Sequence, residues 1–451
     1  MSKTIKIAFY HPDANFGDVD CTHLEKGNPG IGGSEYALLL VAEKLAHCSQ
    51  DLDVYLITQS NNANMPDAGG RLLRLIARDE KELFDSLIEN RIDVLTVRYG
   101  IILPSFRSDS DFYEKAIDKF QIVIWNHNFI EKKDIKYFTK IQSVSRLVCV
   151  GKEQMDLLLD SIIYDKLDYI YNCLPDSFIK KSRDRITPIK NRPKNVVYMG
   201  SLTPAKTFDV LAKAWPTILK EEPEANLYVI GSGQVYDRTK KLGKFGIAEE
   251  SYEHKFMHYL VDEEGEIIPS VHFMGLMGQE KDEILLNSRV GVPNPTGLSE
   301  TFCICGIEMQ LAGCLLTSMK CPGYLDTFCS DTTLLYSSIS RLPNNVVKLL
   351  RSYDSAKIEE AINFVDQNFN LDSIYKEWES LFTNHIWDGT HVHSPKVTFL
   401  GYRLKWLKYA NRYLKKIVPF GYRMIPTIED LISCYISIKV LLIKAIKKQI
   451  C

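Results

Sequence analysis

The sequence predicts an α/β protein: two Rossmann-like parallel-sheet domains facing across a cleft, followed by a basic amphipathic helical tail. Three observations predict it. Short apolar runs alternate with helix-patterned segments over residues 5–172, and the alternation restarts at residue 195. A polar stretch, SRDRITPIKNRP, separates the two series. From Pro395 onward the chain carries twelve Lys/Arg against two Asp/Glu, although the whole chain has a formal net charge of −2.

In the first series IKIAFY (5–10), DVYLIT (53–58), DVLTVRY (93–99), FQIVIWNH (120–127), SRLVCVG (145–151) and DYIYN (168–172) read as strands. ALLLVAEKLA (37–46) and KELFDSLIEN (81–90) read as helices. In the second, NVVYMG (195–200), NLYVIGSG (226–233), VHFMG (271–275), VGVPN (290–294) and CLLTS (314–318) are strands, and TFDVLAKAWPTILKE (207–221) is a helix. Such apolar runs, alternating with helices, indicate parallel sheets covered on both faces. The expected domains are 1–175 and 190–365, with a helix over 366–394 crossing back to the first and the tail over 395–451.

A chain of 451 residues, 45% hydrophobic and 25% charged, can bury a core in each domain. Its near-neutral balance excludes an electrostatic footprint for nucleic acid. The 11 cysteines include no C-x-x-C pair, and Cys303 and Cys305 are too close together for a usual zinc clip. Most are expected to be buried thiols in a reducing compartment. IKIAFY follows the initiator almost directly, so no signal peptide is expected. No run of 18 apolar residues occurs, so no transmembrane helix is expected.

Ligands of open parallel sheets bind at the carboxyl ends of the strands, so the loops after strands carry the chemistry. NPGIGGSE (28–35) is glycine-rich and opens a helix, which makes it either an anion site or an ordinary turn. It is not a dinucleotide fingerprint, because Glu35 stands where the third glycine belongs. His127 ends a strand within WNHNF, and is either a structural imidazole or a site residue. In MGSLTPAKTFDVL (199–211), Lys206 precedes a helix whose dipole it opposes. An anion between them would resolve the conflict; the alternative is a solvated surface lysine.

GLSETFCICGIEMQLAGC (297–314) holds two charged residues, Glu300 and Glu308. A carboxylate is costly to bury unless paired. Glu300 is expected in a loop at the cleft and Glu308 about one turn into a helix. There the amides of Thr301, Phe302 and Cys303 could face a phosphate. Two acceptor-only groups suit a ligand rich in hydroxyl donors, one taking a ribose diol and the other a sugar. A carboxylate that merely complements the helix dipole would explain Glu308 better than Glu300.

Together these pieces resemble the retaining glycosyltransferases of family 4, also called glycosyl transferases group 1, with the GT-B fold. The resemblance covers roughly residues 4–385. It rests on E-x7-E (Glu300 to Glu308) followed by AGC at 312–314, on G-G-S-E (Gly32 to Glu35), on His127 at a strand end, on YNCLPDSF (171–178), and on G-S-L-x-x-x-K (Gly200 to Lys206). It implies an acceptor-side first domain and a donor-side second domain. Gly32 and Gly33 would border the donor diphosphate, with Gly200, Ser201, Thr301, Phe302 and Cys303 also around the donor. Lys206 would bind the diphosphate, His127 would contact the donor sugar, Glu300 would hold sugar hydroxyls and Glu308 the ribose diol. Transfer would retain anomeric configuration, using a nucleotide-diphosphate sugar, no cofactor and no metal. The D-x-D runs at 18–20, 51–53 and 109–111 are read as chance. Three positions depart from the family pattern: Ser201 where arginine is usual, Cys303 where glycine is usual, and Cys173 rather than glycine after Asn172. They imply one phosphate cation fewer and less room for the diphosphate.

On a helical wheel, 402–418 places Lys405, Lys408, Arg412, Lys415 and Lys416 on one face and Trp406, Leu407, Tyr409, Tyr413, Leu414 and Ile417 on the other. Segment 431–448 groups Ser433, Ser437, Lys444, Lys447 and Lys448. Both helices could lie in an anionic membrane interface through 402–448. Alternatively they pack on the first domain with the cationic face in solvent. The expectation is a cytoplasmic enzyme, peripheral at the inner face of the membrane. Its acceptor would be a glycan or lipid-linked molecule in bacterial surface polysaccharide or lipopolysaccharide synthesis. Two alternatives stand beside it: a nucleotide-sugar epimerase or hydrolase, and a catalytically silent sugar-binding relative.

Overall fold

A computed structural model describes residues 4–13, 19–102, 112–186, 188–352, 356–393 and 404–450, with backbone alone at 356, 440 and 443–450. The D-x-D run at 109–111 and the first position of that at 18–20 lie outside the described residues.

The first sheet comprises β1 (Ile5–His11), β2 (Leu52–Thr58), β3 (Leu73–Ile76), β4 (Val94–Arg98), β5 (Gln121–Asn126), β6 (Val144–Cys149) and β7 (Leu167–Tyr169), in the order β3-β2-β1-β4-β5-β6-β7. The second comprises β8 (Asn195–Met199), β9 (Asn226–Ile230), β10 (Val271–Gly275), β11 (Val290–Gly291), β12 (Leu315–Met319) and β13 (Thr333–Tyr336), in the order β10-β9-β8-β11-β12-β13. Every strand pair is parallel. Burial on both faces explains the continuous apolar runs, such as VLTVR in β4, where all five residues are buried. The strand order reverses between β1 and β4 in one sheet and between β8 and β11 in the other. At each reversal the connections diverge and leave a crevice, which is where open sheets bind ligands.

The strands β3 and β13 and the helices Lys281–Leu286, Pro322–Thr327 and Leu342–Leu350 are additions to the sequence reading. Helix Gly33–Cys48 is buried almost all round, from Tyr36 to Ala46, so it carries little amphipathic signal. After helix Ala356–Phe369 the chain returns to the first sheet. Trp378, in helix Leu371–Ser380, packs its ring on Trp125 at 4.4 Å between centroids. Arg146 donates to the carbonyls of His385 and Thr390, and Lys44 pairs with Asp372.

The tail packs on the first domain, as the second alternative has it, but turns most of its cationic face away from solvent. Helix Lys405–Ile417 turns Lys405, Lys408 and Lys415 inward, onto the first domain, and leaves Lys416 exposed. Lys405 pairs with Glu153 (2.5 Å) and Asp156, and Lys408 with Glu429 (2.6 Å) while donating to the Asp156 carbonyl. Lys415 donates to the Asp160 carbonyl, and Asn411 to the Asp160 carboxylate. The Arg412 guanidinium lies 3.0 Å above the Tyr164 ring centroid. The cause is the acidic row Glu153, Asp156 and Asp160, whose carboxylates and carbonyls pair with the desolvated lysines. Burial pulls Lys408 and Lys415 below the ordinary lysine value. The apolar face is left outside, with Trp406, Tyr413, Ile417 and Phe420 exposed. Helix Ile428–Ile450 likewise exposes Leu431, Tyr435, Ile436, Ile438, Leu441 and Leu442. The side chains of Lys444, Lys447 and Lys448 lie outside the described residues. Among the described residues no helix is long and apolar enough to cross a membrane.

Candidate active site

Glu300 and Lys206 meet. Lys206 closes the short turn Pro204–Lys206 after β8, and Glu300 follows β11 in the loop before helix Ile304–Leu311. Their charged groups are 2.8 Å apart. The anion that Lys206 requires is thus Glu300's own carboxylate. Burial would pull Lys206 down, but the Glu300 charge and hydrogen bond outweigh it and hold the ammonium well above its ordinary range. Two backbone outliers shape this corner. Thr207 has φ 47° and bonds Asn294 through its hydroxyl, while Ser299 has φ 60° immediately before Glu300. Strained non-glycine residues of this kind persist where the surroundings over-determine them. Here they direct the two charged side chains into one cleft.

That cleft, ≈ 460 Å³, lies between the sheets. Gly32, Gly33 and Ser34 line it from the start of helix Gly33–Cys48, facing Gly200, Ser201 and Lys206 across the gap. Close approach is built in at Gly231, whose φ is +135° and where a Cβ would fall 1.9 Å from the Gly200 carbonyl oxygen. His127 lines the cleft with both ring nitrogens buried, beside the Asn172 side chain. Burial, then the charge of Arg98, pushes its imidazole down to about 3. His127 is therefore neutral at physiological pH and can donate one hydrogen bond and accept another, as a sugar hydroxyl requires.

Arg98, ending β4, went unremarked in the sequence. It donates to Ser34 Oγ (2.9 Å) and pairs with Glu35 at 3.6 Å. Burial raises Glu35, and Arg98 pulls against that rise. Lys281 was missed too. It is 3% exposed, sits 3.4 Å from Glu308, and donates to the Asn28 carbonyl of the first domain at 3.1 Å. Glu308 is thus a buried carboxylate, raised by burial, with a cation beside it and both groups lining the cleft. In sequence Lys281 belongs to GQEKDEILL, which reads as a solvated helix start and gave no signal.

The expectation that the Cys303 side chain narrows the room for the diphosphate is corrected. The Cys303 side chain does not line the cleft. It lies in the core beside Phe328 and Tyr324, its sulfur 3.5 Å from that of Cys305. Its thiol takes no room from a ligand, because Cys303 is the residue before the helix and its side chain faces the core. Thr301 and Phe302 do line the cleft; Thr301 Oγ1 donates to the His127 carbonyl at 2.5 Å, and the Phe302 ring packs on Tyr171. Among the described residues no group of three His, Cys, Asp or Glu could hold a metal ion.

The two domains are fastened around the cleft. Arg238 donates to the Gly30 carbonyl at 2.8 Å. The Asp326 carboxyl accepts from the Glu153 amide (2.8 Å) and from the Tyr171 hydroxyl (3.2 Å). Gly151 permits this approach, since a Cβ there would meet Asp326 Oδ2 at 2.6 Å. Burial pushes Asp326 up to about 8 from its ordinary value of 3.8. The unfolded chain therefore binds fewer protons than the folded one between those values, and stability falls as pH rises through them. Asp326→Asn removes this dependence. The melting temperature of the wild type, measured relative to the variant, is expected to fall from about pH 5 to about pH 8.5. Parallel pH profiles would show that Asp326 is ionised throughout.

Two parallel α/β domains, each with a strand-order reversal, facing across a cleft that pairs lysines with carboxylates, define a protein of the GT-B fold class. Residues 180–352, essentially the second domain, match the family described as glycosyl transferases group 1, which supports that family. The chain is 25% identical over 240 residues to an uncharacterized glycosyltransferase of Haemophilus influenzae; the match covers 49% of this chain and 64% of that relative, less than two thirds of its length. Among solved structures, a glycosyltransferase from Rickettsia africae is similar at TM-score 0.59 and 14% identity, covering 86% of this chain and 100% of its own. Trehalose-6-phosphate synthase OtsA is similar at TM-score 0.60 and 10% identity, covering 84% and 99%. At such identities the likeness shows the fold alone.

Proposed function

We propose that this protein is a retaining glycosyltransferase that moves a sugar from a nucleotide-diphosphate sugar to a glycan or lipid-linked acceptor. The observation that carries the reading is the Lys206–Glu300 pair set beside two glycine loops in an interdomain cleft. In the reaction the acceptor hydroxyl oxygen bonds to the anomeric carbon as the bond from that carbon to the diphosphate breaks. The hydroxyl proton passes to the departing phosphate oxygen on the same face. Lys206 and the amides at the start of helix Ile304–Leu311 meet the charge that grows on that phosphate. Glu300 and neutral His127 hold the hydroxyls of the transferred sugar. Glu308, oriented by Lys281, accepts from the ribose diol. Lys281 and Arg98 supply positive charge near the cleft where Ser201 supplies none, so the reaction is read as metal-independent.

The exposed apolar side of the tail, with the cations Lys416, Arg423 and Lys439 around it, supports a peripheral position at an anionic membrane surface. That position fits an acceptor used in surface polysaccharide or lipopolysaccharide assembly at the cytoplasmic face.

The reading is tested by thermal-shift titration with UDP, GDP, ADP and CMP. One nucleotide should raise the melting temperature, by linkage, and Glu308→Ala should lose most of that rise. If no nucleotide stabilises the wild type, the cleft is not a donor site and the silent sugar-binding alternative takes its place.

A further inference from the structure

A second, larger cavity, ≈ 980 Å³, lies between the first domain and the tail. Phe129, Ile135 and Leu158 line it on one side, and Met424, Ile425 and Pro426 on the other. It is held open by the buried tail contacts described above and by the pairing of Lys132 with Asp430. Three further cations, Lys136, Lys140 and Arg423, border it and are exposed, with no carboxylate partner among the described residues. Lys136 and Lys140 are four residues apart on helix Lys132–Lys140, so they form one stripe along it.

This cavity adjoins the cleft. Asn126 and Phe129 line the cavity, while His127 and Asn128 line the cleft. Gln154 holds this short wall by donating to the carbonyls of both Asn126 (3.1 Å) and Asn128 (2.9 Å). The Asn126 amide is buried, beside the Cys149 thiol and without an oxygen or nitrogen partner. Such a group is costly unless a polar ligand atom reaches it. Met424, which lines the cavity, is itself exposed, as are Phe420 and Leu431 of the same tail. The carboxylates that also line the cavity, Asp160, Glu429 and Asp430, are engaged by Asn411, Lys408 and Lys132, so an apolar lining bordered by the three remaining cations suits the two halves of an anionic amphiphile.

We propose that this cavity takes the apolar chain of a phosphate-headed lipid whose headgroup also carries a sugar, with the phosphate on Lys136, Lys140 and Arg423, and that a hydroxyl of that sugar is the acceptor oxygen in the transfer step, its proton leaving with the nucleoside diphosphate. The second clause rests on the glycosyltransferase reading; the binding does not. The probe is dodecyl phosphate, below its micelle concentration, titrated calorimetrically into the full chain. Saturable binding of one molecule is expected, at least tenfold tighter than inorganic phosphate. Leu158→Trp, which fills the cavity, should weaken dodecyl phosphate at least tenfold and leave the nucleotide-dependent melting shift unchanged. A surface variant guards against misfolding of the first: Lys136→Glu with Lys140→Glu should weaken dodecyl phosphate but not dodecyl maltoside. Dodecyl phosphate binding no tighter than inorganic phosphate, or equally to both variants and the wild type, overturns the proposal. If a nucleotide stabilises the protein and dodecyl phosphate does not bind, the cavity assignment alone fails. If dodecyl phosphate binds as expected and no nucleotide stabilises the protein, the lipid site stands and its role as acceptor fails.

Discussion

Glu300→Ala is expected to reduce sugar transfer by at least about a hundredfold, the scale lost with one preorganised polar group at a reacting centre, while leaving the protein folded. Lys206→Ala should match it in activity and differ from it in stability. The reason is an asymmetry in burial: the Lys206 side chain is 24% exposed toward the cleft, and that of Glu300 only 7%. Removing Glu300 leaves an ammonium that cleft water can solvate, so little stability is lost. Removing Lys206 leaves a buried carboxylate uncompensated, which costs on the order of 3 kcal/mol. Transfer assays, run beside chemical denaturation of each variant, separate the two effects. Full activity in either variant would remove the pair from the site. Equal destabilisation by both would mean that the pair is more evenly solvated than its geometry indicates.

The parts of this site that were legible in the sequence are those where a residue type conflicts with its surroundings. Glu300 stood out because it is a charge in an apolar, glycine-rich run; Lys206 stood out because it opposes a helix dipole. The glycine loop was legible because its glycines lead directly into a helix. Lys281, Arg98 and Asp326 were not. Each is unremarkable among its sequence neighbours: Arg98 gains its role only when β4 is set beside the start of helix Gly33–Cys48, and Lys281 and Asp326 only when the second domain closes on the first, through contacts such as Lys281 with Asn28 and Asp326 with Glu153. The short strands β3 and β13, four residues each, were missed because edge strands need less apolar length than central ones. The tail was misread for a related reason. A helical wheel locates a cationic face but not what that face meets, and the row Glu153, Asp156, Asp160 lies some 250 residues earlier in the chain, as the sequence separations of its bonds to Lys405 and Lys415 show.

That row sets the other large effect. Lys408→Ala should release the tail. The Lys408 side chain is 1% exposed, and its ammonium joins the Asp156 carbonyl to the Glu429 carboxylate. Truncation leaves Glu429 without its cation and the carbonyl without its donor, in the middle of the helix–domain contact. Breaking one partner of a buried pair costs about 3–5 kcal/mol. The tail meets the first domain mainly through such polar contacts, because its apolar face points outward, so few hydrophobic contacts would offset the loss. The core of the first sheet, with Trp125 against Trp378, is not touched by the substitution. Limited proteolysis should therefore cut the variant within 404–450 much faster than the wild type, while the main melting transition shifts little. Lys408→Met, which keeps the stem but not the charge, should behave the same way if the pairing holds the tail, and like the wild type if packing of the stem does. A released tail would also open the second cavity, since Met424, Ile425 and Pro426 form one of its walls. Loss of dodecyl phosphate binding in Lys408→Ala, with the nucleotide-dependent melting shift intact, would tie the ion pairs to the lipid site and not to the donor cleft.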